Sequence, residues 1–177
     1  LKLVASRSQA ESWIKLGKVS VDGRTITKSG HFVQENSEIV LDAKEQYVSR
    51  AGLKLASVAQ LLHVDFKDKI VLDVGSSTGG FTDYALQHGA KKVYAVDVGT
   101  EQLHPSLRDD PRIELHEKTD IRDFALEQKL DVIVIDVSFI SLREILPHIA
   151  KELSGPNTQI IAMAKPQFEA GRNQTNK

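Results

Sequence analysis

Ile70-Val71-Leu72-Asp73-Val74-Gly75-Ser76-Ser77-Thr78-Gly79-Gly80 is the stretch on which the fold turns. A short apolar run bounded by glycines reads as a buried strand, and the small residues after it as a tight loop entering a helix. That helix is predicted over residues 81–88, with Gly89 as its stop. Further strands are predicted at 93–98, more weakly at 113–116, then at 131–137 and 159–164, with a helix at 141–153. Near-continuous apolar strands such as Val132-Ile133-Val134-Ile135, separated by helices, predict an α/β body whose parallel sheet is covered on both faces. Just upstream, Ala51, Leu55, Val58 and Leu62 recur at helical spacing, so residues 49–63 are predicted to form an amphipathic helix.

The first 43 residues read differently. Ser8-Gln9-Ala10-Glu11 has the form of a capping box, and Ala10, Trp13, Ile14 and Leu16 follow before Gly17 stops the helix. Val19-Ser20-Val21, the turn pair Asp22-Gly23 and Arg24-Thr25-Ile26-Thr27 read as a β-hairpin, and Glu38-Ile39-Val40-Leu41 as another strand. The organisation is thus a small module over residues 1–43, a polar link and helix over 44–63, and the α/β body over 64–177.

With 177 residues, 41% of them hydrophobic and 27% charged, the composition is that of an ordinary globular domain with a small appendage. No run approaches the ~18 apolar residues of a membrane span, and the first residues are too short for a signal-peptide core. The chain opens on Leu1 rather than Met, which reads as a trimmed product or part of something longer. It has no cysteine, so disulfides, Cys-ligated metals and thiolate catalysis are excluded within it, which fits a cytoplasmic setting. The net charge of −1 hides an asymmetry: residues 1–28 hold six cations against two acids, and the rest 17 cations against 22 acids. A basic head on an acidic body is either a polyanion contact or a solvated surface.

In parallel sheets ligands bind beyond the carboxyl ends of the strands, so the polar residues there are the informative ones. The loop from Gly75 to Gly80 can bring backbone close to a ligand, although a glycine loop is also simply a tight turn. Its spacing is neither the dinucleotide fingerprint nor a phosphate-binding P-loop. Asp97, ending the second strand 22 residues beyond Gly75, can accept from both hydroxyls of a nucleoside ribose, or cap the next turn. Asp120, after the third strand, can accept from an adenine amino group or serve as a helix cap. Asp136 and Lys165 end the fourth and fifth strands beside the first, as a catalytic acid and base or as a structural ion pair.

Two resemblances sharpen these readings. The stretch from Ser8 to Arg24 resembles the αL RNA-binding motif shared by a ribosomal protein, pseudouridine synthases and some rRNA methyltransferases, although the helix that usually precedes it is reduced to a stub. It implies phosphate contacts by Arg7, Lys15, Lys18 and Arg24, with Arg50 at the junction added to that set. Asp73 to Asp83, Val96-Asp97-Val98-Gly99, Asp136-Val137-Ser138-Phe139-Ile140-Ser141-Leu142, Lys165-Pro166-Gln167-Phe168-Glu169 and Tyr47 to Leu55 resemble the TlyA (hemolysin A) family, in the same order and over essentially the whole chain.

That resemblance implies a Rossmann-like S-adenosylmethionine methyltransferase of the FtsJ type, acting on cytidine 2′-hydroxyls of ribosomal RNA or ribosomal subunits. No metal or membrane is expected of it, and the sequence predicts no particular oligomeric state. It implies cofactor contacts among Asp73, Gly75, Ser76, Ser77, Thr78, Gly79, Gly80, Phe81, Asp97, Asp120 and Asp136. Of the family's Lys-Asp-Lys-Glu tetrad it assigns Lys54, Asp136 and Lys165; the fourth residue is expected beyond Lys177, not at Glu169, together with two further strands. The body is thus expected to be C-terminally incomplete, with an exposed sheet edge.

The chemistry agrees with ribose methylation. A 2′-hydroxyl needs its proton removed or its alkoxide stabilised, which two lysines on one oxygen can do, each depressing the other's pKa, with an aspartate orienting one of them. Pyrimidine carbon-five methylation needs a cysteine, and exocyclic amine methylation usually shows prolines after the acid of strand four; neither is present. Two alternatives stand beside the enzyme: an RNA-binding scaffold without activity, and a membrane-active hemolysin, for which no long cationic amphipathic helix is seen.

Overall fold

A computed structural model describes residues 3–4, 7–15, 17–42 and 47–170 of the chain. Its first unit, residues 1–50, holds α1 (Arg7–Lys15), β1 (Val19–Val21), β2 (Arg24–Ile26) and β3 (Ile39–Leu41), the strands forming an antiparallel sheet in the order β2-β1-β3. Gly17, at φ +68°, ends α1 as a left-handed cap, with its N–H on Ile14 O and that of Lys18 on Trp13 O. Asp22 and Gly23 both have positive φ, as a two-residue hairpin turn matched to strand twist demands. Trp13, Val21 and Tyr47 are buried.

Two expectations change in this unit. The helix starts at Arg7, which puts Ser8 in its first turn rather than at the cap. Tyr47, read as part of a polar link, is a core residue, because its ring outweighs its polar neighbours. Lys2, Leu16, residues 43–46 of the link and the Ser8 side chain lie outside the described residues.

The second unit, residues 51–177, is built on five parallel strands: β4 (Ile70–Val74), β5 (Lys92–Val96), β6 (Ile113–His116), β7 (Val132–Ile135) and β8 (Gln159–Ala162). Their order is β6-β5-β4-β7-β8, so the chain leaves the central β4 first to one side and then to the other. Around them run α2 (Arg50–Ala59), α3 (Gly80–Gln87), α4 (Pro105–Arg108), α5 (Leu142–His148) and α6 (Pro166–Glu169). Alternation along the strands puts Leu72, Val74, Tyr94, Val96, Ile133 and Ile135 on one face, where Ile145, Ile149 and Leu153 cover them. Full burial of such side chains is worth ~1.5–3 kcal/mol each and fixes the sheet on which the site stands.

The three central strands are buried as predicted, whereas β6 and β8 are half-exposed edges, Ile160 among their exposed residues. Helix α2 stops at Ala59, whose carbonyl takes the Val64 N–H, and the turn that follows leaves Leu62 outside the predicted stripe and exposed. The predicted 141–153 helix is α5 passing into a wider π-turn at Ile149–Leu153; Pro147 inside it removes a donor from the ladder. Helices α4 and α6 were not predicted, being too short to show a period, though each has proline in its first turn.

Candidate active site

The carboxyl ends of the strands open into a cleft of about 460 Å³ whose lining includes Gly75, Ser77, Asp97, Asp120, Asp136 and Phe139. It lies where the chain switches sides at β4, the usual ligand position of a doubly wound sheet. Gly75 has φ +79°, and a Cβ there would stand 3.1 Å from Asp136 O and 3.2 Å from Val137 Cγ1. Glycine thus lets the β4 loop lie directly against the end of β7. Gly79 (φ +86°) is still tighter, its Cβ falling 2.6 Å from both Leu103 and Leu107.

The loop is tied to the end of β5. Val96 O accepts from the N–H groups of Gly75 and Ser76. The Asp97 carboxylate accepts from Ser77 N at 2.8 Å through Oδ2 and from Gly99 N at 2.7 Å through Oδ1. These bonds fix its orientation and leave each oxygen a further acceptor direction. Ser77 Oγ donates to Gln102 Oε1 at 3.0 Å; Gln102 lines the same cleft, and no motif or period marked it in the sequence.

The structure separates the predicted loop residues into two groups. Gly75 and Ser77 line the cleft; Ser76, Thr78, Gly79, Gly80 and Phe81 are not part of its lining. Phe81 is a core residue. Asp73 sits beneath the loop, where its Oδ2 accepts from Thr82 N at 2.9 Å and Thr82 Oγ1 at 2.7 Å, capping α3 from the sheet. Burial raises its carboxyl from 3.8 to about 7, against the two Thr82 bonds that lower it, with Asp136 and Asp97 adding a smaller upward push. Two buried oxygens here, Asp73 Oδ1 and Ser76 Oγ, have no hydrogen-bond partner among the described residues.

Asp120 lines the cleft, but its carboxylate is held by the Arg122 guanidinium, Oδ2 to Nη2 at 2.6 Å and Oδ1 to Nε at 3.0 Å, and Oδ1 also accepts Arg122 N. Those bonds hold its carboxyl down at about 2. The cleft position is therefore realised, whereas the helix-cap reading is not: Asp120 closes a turn at Ile121–Asp123, and no helix begins there among the described residues.

The two lysines and the aspartate come together. Lys54 Nζ, from α2, lies 3.2 Å from Asp136 Oδ2, and Lys165 Nζ, three residues past β8, lies 2.6 Å from Asp136 Oδ1. The Lys165 contact is an ion pair at an angle outside hydrogen-bonding geometry; its hydrogen bond goes to Ser138 Oγ at 2.9 Å. Lys54 also points at Met163 Sδ, 3.6 Å away. Asp136 and Lys165 are mostly buried, with side chains 12% and 19% exposed, while Lys54 is 48% exposed. β7 and β8 are neighbours in register Ile135↔Ala162, which is how two strand ends deliver the pair. Glu169 is engaged elsewhere: its carboxylate accepts from Ser141 Oγ and Leu142 N, at the start of α5.

Beside this cluster Phe139 is 92% exposed and has φ +66°, a conformation a bulky residue adopts at a cost of about 1–3 kcal/mol. Its ring lies 5.4 Å from that of Phe168.

In the first unit Arg7, Lys15, Lys18, Arg24 and Arg50 are all exposed, with Arg7 paired to Glu11 at 3.4 Å. Among the described residues no helix is long and apolar enough to cross a membrane, and no three acids or histidines cluster as metal ligands.

Comparison with known proteins accounts for both units. Residues 47–177 match the FtsJ-like methyltransferase family and residues 1–39 the S4 domain. YqxC of Bacillus subtilis, provisionally named an rRNA methyltransferase, is 43% identical over 181 residues, 99% of this chain and 64% of its own length. The 16S/23S rRNA (cytidine-2′-O)-methyltransferase TlyA of Mycobacterium tuberculosis is 38% identical over 97% of this chain and 66% of its own length. A solved structure from Streptococcus thermophilus, provisionally called a hemolysin, aligns at TM-score 0.71 with 43% identity, covering 98% of this chain and 66% of that one. The chain thus spans about two thirds of the length of these relatives.

Proposed function

The chain belongs to the FtsJ-like methyltransferase family, in its TlyA branch, with an S4 domain ahead of the methyltransferase domain, and from that premise we propose that it methylates ribose 2′-hydroxyls of ribosomal RNA, at cytidine, using S-adenosylmethionine. The single observation that carries this reading is the convergence of Lys54 and Lys165 on Asp136 at the wall of a nucleoside-sized cleft.

The cleft suits the cofactor. Asp97 offers two fixed carboxylate oxygens to a ribose, Gly75 and Ser77 bring backbone close, and Asp120 lies further along the same wall. Asp73 supports the loop from beneath, and Gly79, packed against Leu103 and Leu107, anchors its far end, rather than touching the ligand. When bound, S-adenosylmethionine supplies an electrophilic methyl group.

Everything else falls to the chain's own side chains. Lys165 Nζ is the group placed to take the 2′-hydroxyl proton or, while it carries its own proton, to stabilise the alkoxide. Asp136 orients that amine and balances its charge. Ser138 Oγ fixes the amine from the other side, and Lys54 adds a second positive charge at the same carboxylate. The strained, solvent-facing Phe139 ring stands at the mouth as an apolar surface for a nucleobase. In the S4 unit, Arg7, Lys15, Lys18, Arg24 and Arg50 bind phosphates; the same reading places the protein in the cytoplasm with its ribosomal substrate.

The test is mass-spectrometric mapping of rRNA ribose methylation in cells with and without the intact gene. Loss of a cytidine 2′-O-methyl group in the deletion strain is the expected result. An unchanged map would refute the activity.

A further inference from the structure

The S4 unit has a concavity of its own, about 580 Å³, formed where the end of α1 meets the loop between β2 and β3. Lys15 comes from the helix, and Lys28, His31 and Phe32 from the loop; among the described residues no acidic one lines it. Phe32 is 98% exposed, so it contributes nothing to the core of this unit, and Val33 beside it is 47% exposed. The loop is nevertheless fastened. Asp22 and Glu38 clasp its far end through two hydrogen bonds, Asp22 N to Glu38 O at 2.9 Å and Glu38 N to Asp22 Oδ1 at 2.8 Å. Within it, Lys28 O accepts His31 N and Gln34 O accepts Ser37 N. A fully hydrated phenyl ring is thus presented by a braced loop, in a concavity that Lys15 and Lys28 also line.

We propose that this groove binds an unpaired nucleotide of RNA, its base stacked on Phe32 and the adjoining phosphates held by Lys15 and Lys28. The inference rests on the reading of the chain as an rRNA-modifying protein and adds a specific recognition mode to it. Every base has a face that a phenyl ring can cover, so such a contact is tolerant of sequence but demands that the base be unstacked. A duplex buries its base faces and offers only phosphate to the groove. Lysines lining the same groove as the ring, with no carboxylate among its described lining residues, match a polyanion rather than an acidic-and-apolar protein surface.

The test compares the 177-residue chain with its variants on two probes, a short unstructured oligoribonucleotide and an RNA duplex of equal length. Phe32→Ala is expected to weaken binding of the unstructured probe by about five- to hundredfold and to leave duplex affinity and the salt slope unchanged. Lys28→Gln is expected to flatten the salt slope by ~0.7 on the unstructured probe. Phe32→Trp is expected to keep the affinity and to report stacking by quenching of its own emission, since Trp13, the one native tryptophan, is buried. Because Phe32 is outside the core, none of these results can be a folding defect. If the wild-type chain binds the unstructured probe and Phe32→Ala stays within about twofold, the stacking site is overturned and the exposed ring belongs to a protein contact. If the wild-type chain binds neither probe, the RNA-binding reading of the unit falls, and the inference with it.

Discussion

Asp73 makes the fold's stability depend on pH in an uncommon direction. Its carboxyl is buried under the glycine loop and raised from 3.8 to about 7, burial being the largest cause. The folded protein therefore holds a proton that the unfolded chain releases between about pH 4 and 7. A shift of roughly three units at ~1.36 kcal/mol each is on the order of 4 kcal/mol. The sign follows from proton counts: the native state binds more, so this contribution is fully present below about pH 4, shrinks as pH rises and is gone above about 7. Asp73→Asn keeps an acceptor for Thr82 N and Oγ1 and removes the titration. Urea midpoints followed by circular dichroism from pH 4 to 8, wild type against Asp73→Asn, isolate the effect. The wild type is expected to lose stability relative to the variant by up to ~1.4 kcal/mol per pH unit through that window, then run parallel to it. Thr82→Val, which deletes one of the bonds opposing the shift, is expected to move the window upward. Parallel curves across the whole range would refute the reasoning.

Two further outcomes concern the site and a third the S4 unit. Asp97→Ala is expected to weaken S-adenosylmethionine binding by more than about tenfold in calorimetry, the ~1.5–3 kcal/mol of charge-assisted hydrogen bonds; unchanged affinity would remove the ribose from Asp97. In the full-length enzyme, Lys165→Ala is expected to abolish methyl transfer while cofactor and RNA affinities stay within about threefold, and Lys165→Arg is expected to fail as well because a guanidinium cannot accept the proton. Retained activity in Lys165→Arg would make Lys165 a fixed charge and move the proton acceptor to Lys54 or water. Joint neutralisation of Arg7, Lys15, Lys18 and Arg24 is expected to flatten the salt dependence of rRNA binding by ~0.7–0.9 per lost phosphate contact and to spare cofactor affinity; an unaltered slope would leave the head a solvated surface.

Legibility in the sequence tracked how local the signal was. The central parallel strands were readable because Val71-Leu72 and Val132-Ile133-Val134-Ile135 are apolar on both faces, as a doubly covered sheet demands, while the half-exposed edge β6 left a weaker signal. The hairpin was readable because Asp22-Gly23 is the pair a two-residue turn needs. What failed was set by tertiary context. Leu62 fits a helical stripe, but the helix had already closed at Ala59. Phe81 and Asp73 belong to the same sequence motif as Gly75, yet a strand-to-loop turn sends neighbours to opposite sides, and these two fell on the core side. Gln102 completes the polar contacts of Ser77 without any periodic or motif signature, and Ser138 lies inside the Asp136–Leu142 motif, which assigns it no role, since a single side-chain hydrogen bond leaves no pattern.

The meeting of Lys54 with Asp136 bridges 82 residues, and spacing alone cannot supply that. A mechanical link joins the two halves of the site. Gly75 belongs to the loop proposed to carry the cofactor, and its Cα faces the Asp136 carbonyl so closely that a single added methyl would stand 3.1 Å from it. Asp136 N in turn donates to Val74 O, the residue before that glycine. The backbone that presents Asp136 to the two lysines is thus in contact with the backbone that lines the cleft. A shift of one is a shift of the other, because close-packed interiors transmit displacements rather than absorb them. The loop and the Asp136 backbone are therefore packed as one frame, and it is onto this frame that Lys54 and Lys165 close at 3.2 Å and 2.6 Å.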